Sequence, residues 1–234
     1  MVTRRSAVAI AAALPLMLMG CASSSEGRSA SDAASQPDAS EAQPSLSEGS
    51  AANDVASTQE GANMLVAFFS LAGEQYNVGV IEEGNTSIVA HMIADQTGAD
   101  LFEIEAVDPY PQTHRELLSV SQDERSRGDR PEYVGAVENM DDYDLVFIGY
   151  PNWWADMPMI VYRFLEENDL SGKTVVPFCT HGGSGLSNTE ETIADITGAS
   201  MLDGFAVSGE TAQFDREETE RLVTEWLASL GVAE

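Results

Sequence analysis

The sequence predicts an α/β fold in which an open parallel sheet carries helices on both faces. Three observations predict it. Continuous apolar runs recur at Met64–Ser70, Tyr143–Gly149 and Thr174–Cys179, the pattern of strands buried on both sides. Segments with helical apolar spacing and glycine stops lie between and after them. Strand and helix signals alternate as five successive units after residue 62, and parallel neighbours need such helical crossovers.

Residues 1–21 read as an export signal. Arg4 and Arg5 precede an apolar stretch from Ala7 to Met19, the length of a signal core and short of the ~20 residues that span a bilayer. The stretch ends in Leu18-Met19-Gly20-Cys21, which resembles a bacterial lipobox and makes Cys21 the expected lipidation site. The paired arginines fit either twin-arginine or general secretory export. Residues 22–61 are rich in Ser and Ala, with Leu46 and Val55 as the bulky apolar residues. Such a segment buries too little apolar surface to offset chain ordering, so a disordered acidic tether is expected. The expected location is the outer face of a bacterial cytoplasmic membrane, with contact through the lipid anchor only.

The folded domain is expected over residues 62–234. Its first strand is the Met64–Ser70 run. Asn85 or Thr86 is placed to cap a helix bearing Ile88, Val89, Met92 and Ile93, stopped by Gly98. Asp100–Glu105 alternates, as an edge strand would, and a weaker helix follows from Thr113 to about Arg125. After the Tyr143–Gly149 strand, Pro158 suits the first turn of a helix with Ile160, Val161, Phe164 and Leu165 inward. The Thr174–Cys179 strand precedes a helix from Asn188 to Ile196. A last strand is expected over Met201–Val207. Asp215 and Glu218 frame a capping-box start for a final helix ending at Gly231.

Charge narrows the function. The chain has 39 acids and 11 bases, a net charge of −28. Nucleic-acid binding is excluded, because it needs a basic surface. Cys21 and Cys179 form neither a redox pair nor a metal knuckle. The negative field favours a basic or neutral partner over an anionic one. No catalytic side chain and no metal ligand set is singled out.

Ligands of doubly wound sheets bind beyond the carboxyl ends of the strands, so three loops matter. After strand one, Ser70 and later Gly84-Asn85-Thr86 offer hydroxyls and free N–H groups at a helix start. A plain turn with an N-cap explains the same residues. After strand three, Pro151-Asn152-Trp153-Trp154 places adjacent indoles in a loop. They suit a flat heteroaromatic ligand, or packing over the sheet edge or against a protein partner. After strand four, Thr180-His181-Gly182-Gly183 admits close backbone approach, or forms a flexible turn.

Together these residues resemble the flavodoxin family, particularly its exported bacterial lipoproteins. The resemblance rests on Phe69-Ser70 with Gly84-Asn85-Thr86, on Gly149-Tyr-Pro-Asn-Trp-Trp154, and on Pro177-Phe-Cys-Thr-His-Gly-Gly-Ser-Gly185. It implies a three-layer sandwich with a five-stranded parallel sheet in the order 2-1-3-4-5, and FMN as cofactor. It implies further that Ser70, Gly84, Asn85 and Thr86 hold the phosphate. Pro151, Asn152, Trp153 and Trp154 would lie against the isoalloxazine, with Thr180, His181, Gly182 and Gly183 at its pyrimidine side. An electron-transfer or reductase role follows from that resemblance. The alternative is a binding lipoprotein that keeps the scaffold, has lost FMN, and holds another aromatic ligand or a protein. One departure stands out: residues 73–83 interrupt the first loop. Gly73 is then a second candidate for the phosphate-loop glycine, and the insert, which carries Tyr76, is a candidate flap.

Overall fold

The computed structural model describes residues 62–232. The export signal, Cys21 and the tether lie outside these residues. The described chain opens with strand β1 (Met64–Phe68), followed by a small antiparallel hairpin, β2 (Gly73–Gln75) and β3 (Gly79–Ile81). Helix α1 (Asn85–Thr97), strand β4 (Asp100–Glu103) and helix α2 (His114–Arg127) come next. Then β5 (Leu145–Pro151) leads to α3 (Met159–Glu167), and β6 (Thr174–His181) to α4 (Thr189–Thr197). Two short strands, β7 (Ser200–Met201) and β8 (Phe205–Ser208), precede α5 (Gly209–Phe214) and α6 (Arg216–Leu230).

The main sheet is parallel, in the order β4-β1-β5-β6-β7, and β8 also pairs with β6. Since β7 and β8 occupy successive stretches of one edge, the order is the expected 2-1-3-4-5. Side chains alternate between two cores, as the period of a strand requires. Leu65, Ala67, Val146, Ile148 and Tyr150 pack with α3 through Ile160, Val161 and Phe164. Val66, Phe68, Leu145 and Phe147 pack on the opposite side with Val89 and Ile93 of α1 and Val223 and Leu227 of α6. A three-layer sandwich results. Because the central-strand residues, apart from half-buried ones at the strand ends, are buried on one face or the other, the strands read as continuous apolar runs.

Three expectations are corrected. The last strand is not continuous. The register advances from Val175↔Met201 to Phe178↔Phe205, so one extra residue bulges opposite Pro177. Proline has no N–H to donate, which favours a break in the ladder there. Gly204 fits the bulge, since a Cβ on it would stand 2.9 Å from the Pro177 carbonyl oxygen. Second, α1 has Gly84 as its N-cap, and Asn85 and Thr86 lie inside the first turn without capping it. The capping oxygen comes from a distance: Ser70 Oγ accepts the Ser87 N–H at 3.0 Å. Third, α5 is an added helix between the last strand and α6, with the Ser208 side chain accepting the Thr211 N–H. The final helix begins as expected, with the Asp215 carboxylate accepting the Glu218 N–H.

Candidate functional site

The carboxyl ends of β1, β5 and β6 open into a cavity of about 420 Å³. Nine of the residues singled out in the sequence line it: Asn85, Thr86, Pro151, Asn152, Trp153, Trp154, Thr180, His181 and Gly182. Ser70, Gly84 and Gly183 are not part of that wall.

Ser70 and Gly84 rebuild the interrupted first loop. A Cβ on Gly84 would fall 2.2 Å from Ser70 Oγ and 2.8 Å from the Leu71 backbone. Only glycine allows this approach, so the two ends of the insert lie against each other and the loop is continuous in space. Gly84, not Gly73, therefore meets Ser70. Gly73 sits instead on the hairpin, against Gln112. The rebuilt loop leads into α1, whose first turn carries the partial positive charge of a helix N-terminus. Behind it, Thr86 Oγ1 and Thr180 Oγ1 share a hydrogen bond at 2.9 Å, both buried. That bond ties the first loop to the third.

The second loop separates its two indoles. Trp153 packs into the core edge, edge-on to Phe69 and Tyr110 at 5.5 Å each. Trp154 remains 41% exposed and donates its indole N–H to Ser121 Oγ on α2 at 3.1 Å. Trp153 and Asp156 exchange backbone hydrogen bonds across Trp154 and Ala155, which have φ of 58° and 59°. Positive φ at both central positions is the signature of a type I′ turn, normally built with Asn and Gly. Two L residues held there store local strain at the cavity mouth. Asp156 braces the turn by accepting from its own neighbour, the Met157 N–H, and from the Tyr162 hydroxyl, each at 2.8 Å.

In the third loop, His181 Nδ1 accepts the Gly183 N–H at 2.9 Å. That assigns the ring proton to Nε2, and burial pushes the imidazole pKa below its ordinary value. The histidine is thus a neutral donor in the wall. Burial raises the Cys179 thiol to about 12, and its Sγ donates to the Gly185 carbonyl. This thiol is a core group with no nucleophilic character.

Sequence reasoning missed the wall built by α2, which supplies His114, Leu117, Leu118 and Ser121, and it missed Gly209 at the start of α5. The spacing of Leu117, Leu118 and Ser121 marks one helix face, but nothing local says which loop that face meets. Gly209 has no local signal. It is explained by contact, since a Cβ on it would lie 2.6 Å from the Asn85 amide nitrogen.

The cavity fits a flat ring joined to an anionic tail. Leu71, Leu117, Leu118 and the indoles give apolar and aromatic walls. Asn85 Oδ1 and Asn152 Oδ1 are buried without partners. Asn152 is held in its orientation by Nδ2 donating to the Gly185 carbonyl at 2.8 Å, so its Oδ1 can accept from a ligand N–H, whereas the Asn85 amide can accept or, turned over, donate to a ligand oxygen. Among the described residues no Lys or Arg lines the cavity, so an anion would depend on backbone N–H groups and the α1 terminus.

A doubly wound α/β domain with an aromatic cleft at its switch point defines a class of ligand-binding domains. Comparison with known proteins narrows it. The family model for flavodoxin matches residues 63–229, and the chain belongs to the flavodoxin family. A candidate flavoprotein of known structure from Bacteroides eggerthii is 30% identical, with a TM-score of 0.56, covering 72% of this chain and 98% of that one. Another from Bacteroides uniformis is 28% identical, with a TM-score of 0.56 and coverage of 70% and 98%. A Lactobacillus acidophilus flavoprotein solved with FMN shares the fold at 17% identity and a TM-score of 0.50, covering 66% and 97%. No curated protein matches the chain.

Proposed function

We propose that the domain binds FMN in this cavity and serves electron transfer at the outer face of a bacterial cytoplasmic membrane, held there by lipid on Cys21. The observation that carries the reading is the convergence of nine predicted residues from three loops on one cavity. When bound, the flavin supplies one- or two-electron chemistry, and the chain supplies binding, orientation and polarity. The α1 N-terminus, with Asn85, binds the phosphate. Ser70 and Gly84 hold that terminus in shape. Pro151, Trp153 and Trp154 present the ring-binding wall. Asn152 and the neutral His181 satisfy ring heteroatoms and keep water from them. The domain's excess of acids favours a basic redox protein or a neutral quinone as partner.

The test is an FMN titration of the full chain in detergent, followed by flavin absorbance after desalting. Retained flavin supports the reading. A folded chain that binds none overturns it, and leaves the domain a binding protein for some other ligand. Incorporation of labelled palmitate, abolished in Cys21→Ala, tests the anchor.

A further inference from the structure

The insert is the element of this site that the three-loop description does not use. Its hairpin, β2–β3, runs from the first loop to the start of α2. Glu74 N–H donates to the Gln112 carbonyl at 2.8 Å, and the Glu74 carboxylate accepts the His114 N–H at 3.0 Å. His114 is the first residue of α2, whose own N-cap, Thr113, makes no capping bond to the backbone. Glu74 thus caps α2 from another part of the chain, satisfying a helix N–H and meeting the positive end of the dipole. At the other end of the hairpin, Arg216 of α6 pairs with Glu83 at 3.1 Å. Gln75 Nε2 donates to the Leu71 carbonyl at 3.2 Å.

These ties position the hairpin tip. Tyr76 lines the cavity although it is 59% exposed. Its ring lies 5.7 Å from the His114 ring, tilted by 33°. It also covers Gly182 so closely that a Cβ there would meet Tyr76 Cδ1 at 2.7 Å. The third loop has no Phe, Tyr or Trp of its own between Cys179 and Gly185. An aromatic face held open at a cavity mouth is placed to pack against a flat apolar ring.

We propose that the hairpin is a fourth wall of the site and that Tyr76 stacks on the ring of the bound ligand, selecting for planar aromatic rings. This rests on the flavin-binding reading above. Stacking acts on the ring and is indifferent to the tail. The hairpin's contribution is therefore separable from phosphate binding.

The experiment titrates the full chain with FMN, riboflavin and lumichrome, following quenching of ligand fluorescence. Tyr76→Ala is expected to weaken all three by a similar factor of about ten-fold, the size of one aromatic stacking contact. Tyr76→Phe should keep wild-type affinity. Gly182→Ala should displace the ring from the opposite side and weaken all three as well. In the ligand-free chain, nuclear Overhauser contacts between the Tyr76 ring and Gly182 Hα should be present, and lost in Gly182→Ala. Equal binding by wild type and Tyr76→Ala, or loss of FMN alone, overturns the fourth wall and leaves the flavin reading standing. A wild-type chain that binds none of the three overturns both.

Discussion

Two concavities of similar size lie at opposite ends of the sheet, about 420 Å³ at the carboxyl ends of the strands and about 380 Å³ at the amino ends. The second is lined by Asn63, Gly98, Asp100, Glu138, Asp142 and Tyr143, among others. Volume therefore does not pick the site. What differs is the chemistry that the winding of the chain delivers to each end. At the carboxyl end, α1 arrives by its N-terminus and aromatic loops close over it. At the amino end, α1 departs by its C-terminus beside carboxylates, so dipole and side chains carry the same sign. A ring with an anionic tail is favoured at one end and repelled at the other.

The strongest way to break this comparison uses a glycine from each end. Gly84→Ala forces a Cβ against Ser70 and the Leu71 backbone. It should cost about 2–3 kcal/mol, as overpacking does, and abolish FMN retention. Gly98→Ala meets open space, and its φ of 71° is the only obstacle. It should cost about 1 kcal/mol and leave FMN affinity alone. Urea denaturation together with flavin titration measures both. Equal effects on binding would mean that the carboxyl-end loop is not where the ligand sits.

Next in size is Trp154→Ala. Loss of this indole should weaken FMN binding by about ten-fold, the worth of one stacking contact, with little change in unfolding midpoint. At the other cavity, Tyr143→Phe removes the hydroxyl that donates to Asp100 Oδ2 at 2.9 Å, and FMN affinity should not move. Ala155→Gly should relieve one positive φ in the Trp154 turn and stabilise the chain by about 0.5–1 kcal/mol. A loss of stability in a urea melt would contradict the strain assigned to that turn.

The smallest effect concerns a buttress behind Trp153. Tyr110 packs edge-on to Trp153 and donates its hydroxyl to Glu124 Oε2 at 3.0 Å. Burial raises the Glu124 carboxyl pKa above its ordinary 4.5, against the lowering pull of that hydrogen bond. A raised native pKa means the folded chain keeps a proton that the unfolded chain has released. The stability Glu124 contributes is therefore full below about pH 4.5 and declines as pH rises through the native value. Glu124→Gln keeps an acceptor for Tyr110 and removes the titration. Urea midpoints should show the variant gaining on wild type as pH rises from 4 to 8, and a parallel pH profile would refute this.

Much of the fold is legible in sequence because burial on both faces writes itself locally. Val146 and Phe147 point into opposite cores, so neither core position is occupied by a polar residue and the run is unbroken. Helix ends were legible where the cap is local, as at Asp215, and misread where it is distant, as at Ser70 and Ser87. The Pro177 bulge was half legible: the proline is visible, but which edge it interrupts is decided by the neighbouring strand. Of the site, the loops after β1, β5 and β6 could be read because topology brings strand ends together. The α2 wall, Gly209 and the Tyr76–Gly182 contact could not be read.

The sequence by itself determined the doubly wound sheet, its order through family resemblance, and nine of the residues that converge at its carboxyl end. It did so because periodicity and turn chemistry act over a few residues. The tertiary structure alone decided that Gly84 closes the interrupted loop on Ser70, that Glu74 caps α2, and that Tyr76 covers Gly182. Those contacts join residues far apart in the chain. They exist because steric fit, a missing Cβ and an unsatisfied N–H meet in space, and no local pattern encodes that meeting.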